Sequence, residues 1–292
     1  MNTPVVLDFD RSVGPLPDAR VIDLGRWQES IRFGCSRRDL RSVAREVERQ
    51  LPARPGTVFL GSGDYHHLTW PLVARRGADG PFEVIVFDNH PDNMRFPFGV
   101  HCGSWVRRVA ALPFVKHVHV VGIGSSDVGA GHAWENHLLP LILGKLSYWT
   151  IGVDTRWAAR VGIGRSFRAF DSPEALLDRF VESRRGSTSS VYLSIDKDVL
   201  SADVARTNWD QGRMTDRHLF TAIDALAGNV IGSDVTGDVS AYRYTTWWKR
   251  KLSALDEQPE IDPGQLATWQ TQHHALNLRL LDHICAVTAS TA

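Results

Sequence analysis

Three short stretches of this chain carry residue types that hold metal ions. The first is Asp88-Asn89-His90-Pro91-Asp92. Asp88 and His90 are two apart, so on an extended backbone they project to the same side, and Asp92 follows where Asn and Pro let the chain turn. Two carboxylates and an imidazole suit a divalent ion of intermediate hardness such as manganese. The second stretch is Ser194-Ile195-Asp196-Lys197-Asp198, where two like charges on one side of the backbone repel unless a cation holds both ionised. The third is Gly61-Ser62-Gly63-Asp64-Tyr65-His66-His67, whose glycines allow a tight turn before a pair of histidines. Each stretch alone has a plain alternative: a turn built of Asp, Asn and Pro, a solvated acidic loop countered by Lys197, or a hydrogen-bonded structural histidine. Together they offer Asp88, His90, Asp92, Asp196, Asp198 and one of His66 or His67. That is too many anionic ligands for one ion and enough for two. Two divalent ions bring about +4 against about −4 from the carboxylates, and a bridging hydroxide leaves the cluster near −1. Such a centre holds a nucleophile at neutral pH and attracts a cationic substrate.

These stretches need elements to bring them together. Short apolar runs predict strands over Pro4–Leu7, Arg20–Leu24, Thr57–Leu60, Glu83–Phe87, His117–Val121, Tyr148–Val153, Val191–Ile195 and Asn229–Val235. Helical patterning predicts Ser36–Leu51, a helix opened by Ser172-Pro173-Glu174, Thr215–Leu226 and Gly264–Ala286, with His132–Leu143 and Ser104–Ala111 as further candidates. Loops are expected at 75–81, 184–190 and 257–264. Alternating strands and helices indicate an α/β fold, three-layered α/β/α with a mostly parallel central sheet. In such sheets ligands bind beyond the carboxyl ends of strands, which is where all three stretches fall. With no linker or repeat in view, one domain over 1–292 is expected.

Composition narrows the function classes. The 33 basic and 33 acidic side chains leave a formal charge of zero, which argues against nucleic-acid and anionic-membrane partners. No apolar run approaches the ~20 residues that span a bilayer, and the N-terminus has no secretory pattern. The three cysteines, Cys35, Cys102 and Cys285, are too far apart for a disulfide framework or a zinc motif. A cytoplasmic protein acting on a small molecule is expected.

The stretches GSGDYHHLT, FDNHPDNM and LSIDKDVL appear in the order of the three signatures of the arginase/agmatinase (ureohydrolase) superfamily, and from about Thr57 to Val239 the chain resembles a divergent member of it. The resemblance implies an arginase-like fold and two Mn2+ ions held by His66, Asp88, His90, Asp92, Asp196 and Asp198. An ungapped match favours His66; a one-residue shift would favour His67. Asp92 matches the family carboxylate that both binds metal and steadies the nucleophilic hydroxide. VHCGSW resembles the family's His-Gly segment, which makes His101 the proton relay to the departing amine.

Some positions depart from the family pattern. Its guanidinium-pairing glutamate falls on Gly237, and Asp238 is the residue expected to supply the anion from a shifted position, with Asp234 also near. The family's Asp-Pro after the third signature is replaced by Ser201-Ala202-Asp203-Val204, followed by Thr207-Asn208-Trp209-Asp210-Gln211-Gly212. The asparagine that reads an α-amino acid is Met94, which argues against free arginine. Most tryptophans read as packing residues; Trp209 and the Trp247-Trp248 pair follow strand ends on the metal side, and one of them, Trp209 first, is expected to form a pocket wall. His273-His274 read as surface or packing residues, and His132 and His137 receive no role. The resemblance thus implies hydrolysis of a C–N bond in a cationic guanidine- or amidine-type molecule by a homo-oligomer-forming family. Two other readings stand beside it: a deacetylase-like amidohydrolase on the same fold, and a non-catalytic binding protein.

Overall fold

The apolar run Phe82–Phe87 is a strand whose side chains leave it alternately to two sides. Phe82, Val84 and Val86 join one hydrophobic cluster, Ile85 and Phe87 another. A strand buried on both faces needs that unbroken apolar sequence. The computed structural model describes residues 2–255 and 261–288. Its strands are β1 Val5–Asp8, β2 Arg20–Asp23, β3 Gly34–Cys35, β4 Val58–Gly61, β5 Phe82–Phe87, β6 Val100–His101, β7 Val115–Ile123, β8 Leu146–Ile151, β9 Phe167–Phe170, β10 Val191–Asp196 and β11 Val230–Thr236. Its α-helices are α1 Gln28–Ile31, α2 Arg37–Gln50, α3 Thr69–Ala74, α4 Val106–Ala110, α5 Leu139–Ile142, α6 Arg156–Arg160, α7 Pro173–Arg184, α8 Asp216–Asp224, α9 Trp247–Leu255 and α10 Pro263–Thr288.

Nine strands form one sheet in the order β2-β1-β4-β11-β10-β5-β7-β8-β9, and each of its pairings is parallel. Helix α2 packs on one face through Leu40, Val43 and Val47, the i, i+3, i+7 stripe of an amphipathic helix. Ser36 caps it by accepting from Asp39 N at 3.1 Å. The other face is covered by α7 (Leu176, Phe180), α8 (Leu219, Ile223) and α10 (Leu276, Leu280, Ile284). This is the three-layer α/β/α arrangement. Among the described residues no helix is long and apolar enough to cross a membrane.

Each of the eight expected strands is present, with ends displaced by a few residues. The edge strand β9 was not anticipated, because Phe167-Arg168-Ala169-Phe170 is only half-buried and carries no apolar run. Nor was the short antiparallel pair β3–β6, which sets Gly34 opposite His101. The helix expected over His132–Leu143 is broken into a 3-10 turn at Ala133–Glu135 and α5, with Pro140 in the first turn of α5. Pro140 has no N–H to continue a ladder from before it. Helix α9 was likewise missed, and residues 257–260 of the loop expected over 257–264 lie outside the described residues.

Candidate metal centre

Strands β4, β11, β10 and β5 are consecutive in the sheet, so the segments after β4, β10 and β5 emerge side by side at one edge. After β4, Ser62 caps a 3-10 turn over Gly63–Leu68 that delivers His66 and His67. After β10, the 3-10 turn Lys197–Val199 is capped by Asp196, whose side chain accepts from Asp198 N at 3.1 Å. After β5, Asp88 accepts from His90 N at 2.7 Å. The chain then reverses at Asp92, whose φ of +44° is unusual for a residue with a Cβ.

The result is a buried cluster. His66 Nδ1 lies 2.9 Å from Asp92 Oδ2, 3.2 Å from Asp88 Oδ2 and 3.4 Å from Asp196 Oδ2. His90 Nδ1 lies 2.9 Å from Asp198 Oδ2 and 3.6 Å from Asp88 Oδ1. Two groups of three, His66–Asp88–Asp196 and Asp88–His90–Asp198, each place their ligand atoms within 4.8 Å of one another, and Asp88 is common to both. The structure thus gathers the six residues that the sequence put forward, and it separates the two histidines. His67 turns away and meets Cys35 Sγ through Nε2 at 3.6 Å.

Burial and mutual charge shift the titration of these groups. Burial raises the Asp92, Asp196 and Asp198 carboxyls above the usual carboxylate range, and the charge of a neighbouring aspartate adds to it. Burial would lower the His66 and His90 imidazoles, but the surrounding carboxylates win and raise them well above the ordinary value. His66 Nδ1 and Asp88 Oδ2 face each other without the geometry of a hydrogen bond, and among the described residues neither has another hydrogen-bond partner. Two buried polar atoms left in this way in a crowd of oxygen and nitrogen donors fit divalent cations.

An outer layer holds the ligands, and most of it escaped the sequence reading. Ser194 Oγ lies 3.0 Å from His66 Nε2 and donates to Asp234 Oδ1 at 2.7 Å. Asp234 also accepts from Thr69 and Tyr192, so it supports His66 from behind. Asp210 Oδ1 lies 2.6 Å from His90 Nε2, and Asn89 Nδ2 donates to Asp210 Oδ2 at 3.1 Å. Trp105 Nε1 donates to Asp92 Oδ2 at 2.6 Å. Such partners fix the tautomer and orientation of metal-ligating groups. The sequence signals were Ser194 within the second stretch, Asp234 near the expected substrate partner, and the unusual Thr207–Gly212 stretch that carries Asp210.

The cluster forms the floor of a cavity of about 410 Å³. Its walls include Met94, His101, Trp209 and the acidic residues Asp127, Glu135 and Asp210. Trp209 stacks parallel to Phe33 at 6.1 Å between centroids, and the Cβ that Gly63 lacks would come within 3.2 Å of its ring. His101 Nδ1 accepts from Gly103 N at 3.0 Å, which leaves Nε2 to carry the proton of the neutral ring. Burial pulls the His101 pKa down to about 4, so the ring is neutral at neutral pH rather than poised near 7 as its residue type had suggested. His132, without a role from sequence, lines the cavity with Nδ1 3.1 Å from Glu135. Trp247 is exposed.

Asp238 corrects an expectation. It is fully buried, is not among the residues lining the cavity, and is paired with Lys197 Nζ at 2.6 Å. The position beside it explains why no longer acid stands there. Gly237 has φ +89°, and a Cβ on it would lie 2.4 Å from Asp196 Oδ1 and 2.6 Å from Lys197 N. His273 is also fully buried, with Nε2 2.7 Å from Arg206 O, so it is a packing residue and not a surface one.

Comparison with known proteins follows the same lines. The sequence model described as "Arginase family" matches residues 5–240. An uncharacterised protein of Thermotoga maritima is 28% identical over 209 residues, which cover 71% of this chain and 67% of the relative. Among solved structures, a putative agmatinase from Clostridium difficile superposes with a TM-score of 0.57 at 15% identity, covering 98% of this chain and 97% of its own. The proclavaminate amidino hydrolase of Streptomyces clavuligerus gives 0.54 at 15%, covering 98% and 93%. The formimidoylglutamase of Bacillus subtilis gives 0.52 at 13%, covering 97% and 86%. At such identities these structures establish the shared fold.

Proposed function

Because this chain belongs to the arginase family, we propose that it is a metal-dependent hydrolase cleaving a C–N bond of a guanidine- or amidine-type small molecule, with two Mn2+ ions as cofactor. The observation that carries this reading is the pair of ligand groups sharing Asp88 at the floor of an open cavity. His66, Asp88 and Asp196, with Asp92 beside His66, would hold one ion, and Asp88, His90 and Asp198 the other. Divalent ions there would supply Lewis acidity and lower the pKa of water enough for attack near neutral pH.

The chain's own residues do the rest. Asp92 lies at the inner edge of the cavity, where its carboxylate can accept a proton from the attacking water while Trp105 holds it in place. His101, whose neutral ring carries its proton on Nε2, would donate that proton to the departing amine, and the proton that Asp92 accepted from water would restore the ring. Trp209 forms a flat wall against which a planar cation stacks. Asp238 being engaged elsewhere, the anionic partners for the substrate are Asp127 and Glu135, which line the same cavity. With Met94 and no glutamate at 237, the pocket is not built for free arginine.

A second reading, amide hydrolysis at the same centre, is favoured by Gly237, since a guanidinium has lost its usual partner there. One assay separates the two. Metal-stripped and Mn2+-reloaded protein is given small guanidines, formimino compounds and acetylated amines, and the release of urea, formamide and acetate is measured. Urea or formamide release that depends on Mn2+ is expected. Acetate release alone would transfer the assignment to the second reading, and undiminished turnover after chelation would sink both.

A further inference from the structure

We propose that Lys197, Asp238 and Asn277 form a buried strut that positions the Asp196 and Asp198 carboxylates, which makes helix α10 a working part of the metal centre. This rests on the metal-binding reading above. It concerns residues that touch neither substrate nor ion, one of which lies on a helix beyond the matched segment, residues 5–240.

Lys197 stands between two of the gathered carboxylates. On the turn that presents Asp196 and Asp198 to the cavity, its side chain leaves on the opposite side. It is completely buried there and donates to Asp238 Oδ1 at 2.6 Å and to Asn277 Oδ1 at 2.8 Å. Asn277 closes the triangle by donating to Asp238 Oδ1 at 2.9 Å, and it also donates to Val13 O at 3.1 Å. Asp238 N in turn donates to Gly61 O at 3.0 Å, directly before Ser62, which caps the turn carrying His66. One connected set of hydrogen bonds therefore ties the Asp196–Asp198 turn to the end of β4 and to α10.

A buried ion pair is a poor way to gain stability, because apolar side chains would fill the same space without stripping water from two charges. What it adds is direction. Hydrogen bonds of fixed length hold the turn laterally, where a packed Leu would let it slide. Behind the turn, the Gly237 backbone is pressed so closely on Asp196 that no Cβ fits between them. Asp196 is therefore held from behind by Gly237 and from the side by the strut. Outer groups that orient ligands typically change metal affinity 10–100-fold.

The test is a Mn2+ titration of the metal-stripped full chain, read by calorimetry and by the electron paramagnetic resonance of bound Mn2+. Wild type is compared with Asp238→Asn, which keeps the shape but removes the charge. The double variant Lys197→Met/Asp238→Leu replaces the pair with apolar groups. We expect both variants to melt cooperatively yet bind at least one ion 10–100-fold more weakly. Saturating Mn2+ should then restore kcat with KM unchanged, because the strut does not touch substrate. Folded variants that bind both ions with wild-type affinity overturn the inference. Should either variant fail to fold, Asn277→Ala, which leaves the ion pair in place, decides: several-fold weaker binding supports the strut and unchanged binding refutes it. A wild-type chain that takes up no Mn2+ overturns the metal-centre reading and the strut together, whereas normal uptake by wild type and variants alike overturns the strut alone.

Discussion

Two places on the same sheet gather imidazoles and carboxylates, and only one looks like a metal centre. At the amino ends of β5 and β7, His117 and His119 lie 4.3 Å apart between ring centroids, beside Glu83. Each group there has an ordinary partner. Glu83 accepts from Arg184 at 2.6 Å, His117 reaches Gly144 O and Ser147 Oγ, and His119 Nδ1 accepts from Trp149 Nε1 at 3.3 Å. One carboxylate and one guanidinium cancel, and burial keeps both imidazoles neutral by lowering their pKa values. At the carboxyl ends, four carboxylates meet two imidazoles, and the buried His66 Nδ1 and Asp88 Oδ2 face each other at 3.2 Å without the geometry of a hydrogen bond. Residue type is the same in both places. What separates them is whether the charges balance without an added cation.

The strongest way to break this contrast is Asp88→Asn. Because both ligand groups share Asp88, Mn2+ uptake should weaken at least 100-fold at both positions, beyond the usual range for outer-layer changes, and Mn2+-dependent hydrolysis should disappear. Two ions bound normally by this variant would show that the shared carboxylate is not a ligand. A smaller effect is expected of Asp210→Asn, which loosens the carboxylate on His90 Nε2: roughly tenfold weaker uptake, measured by the same titration.

The smallest effect lies at the other end of the sheet and is read by pH. His117 is depressed to about 4 in the fold. As pH falls from about 6.5 toward 4, the unfolded chain therefore binds the proton first, and stability is lost across that window. Glu83 is depressed to about 2, so its contribution is present above about 4.5 and is lost as pH falls from there toward 2. Thermal melts of His117→Gln and wild type should converge by a few degrees between pH 6.5 and 4, with no change in Mn2+ uptake at neutral pH. A constant difference in Tm across that window would remove His117 from the account.

Much of this arrangement was legible in the sequence because it is local. A strand that ends in Asp-x-His-x-Asp or Asp-x-Asp must deliver those side chains to the sheet edge, and parallel strands deliver them to the same edge. What could not be read is direction over long separations. Asp238 was expected beside the substrate, yet it is buried away from the cavity and held by Lys197 and Asn277. Lys197, the counter-ion of a solvated loop in the plain alternative, is fully buried. Asp210 reaches His90 across 120 positions of chain, a pairing that no local pattern announces. Arg32, buried and paired with Asp64 at 2.7 Å, was invisible for the same reason.

Gly237 limits how this pocket can be redesigned. Its backbone fills the place from which the family's glutamate would project, so restoring that glutamate by one substitution would drive a Cβ into Asp196. Such a substitution would displace the Asp196 carboxylate from the cluster before it added a new carboxylate to the cavity. A carboxylate that is to reach into the cavity is therefore better introduced at a position that already lines it, such as Met94 or Asn136, than at 237.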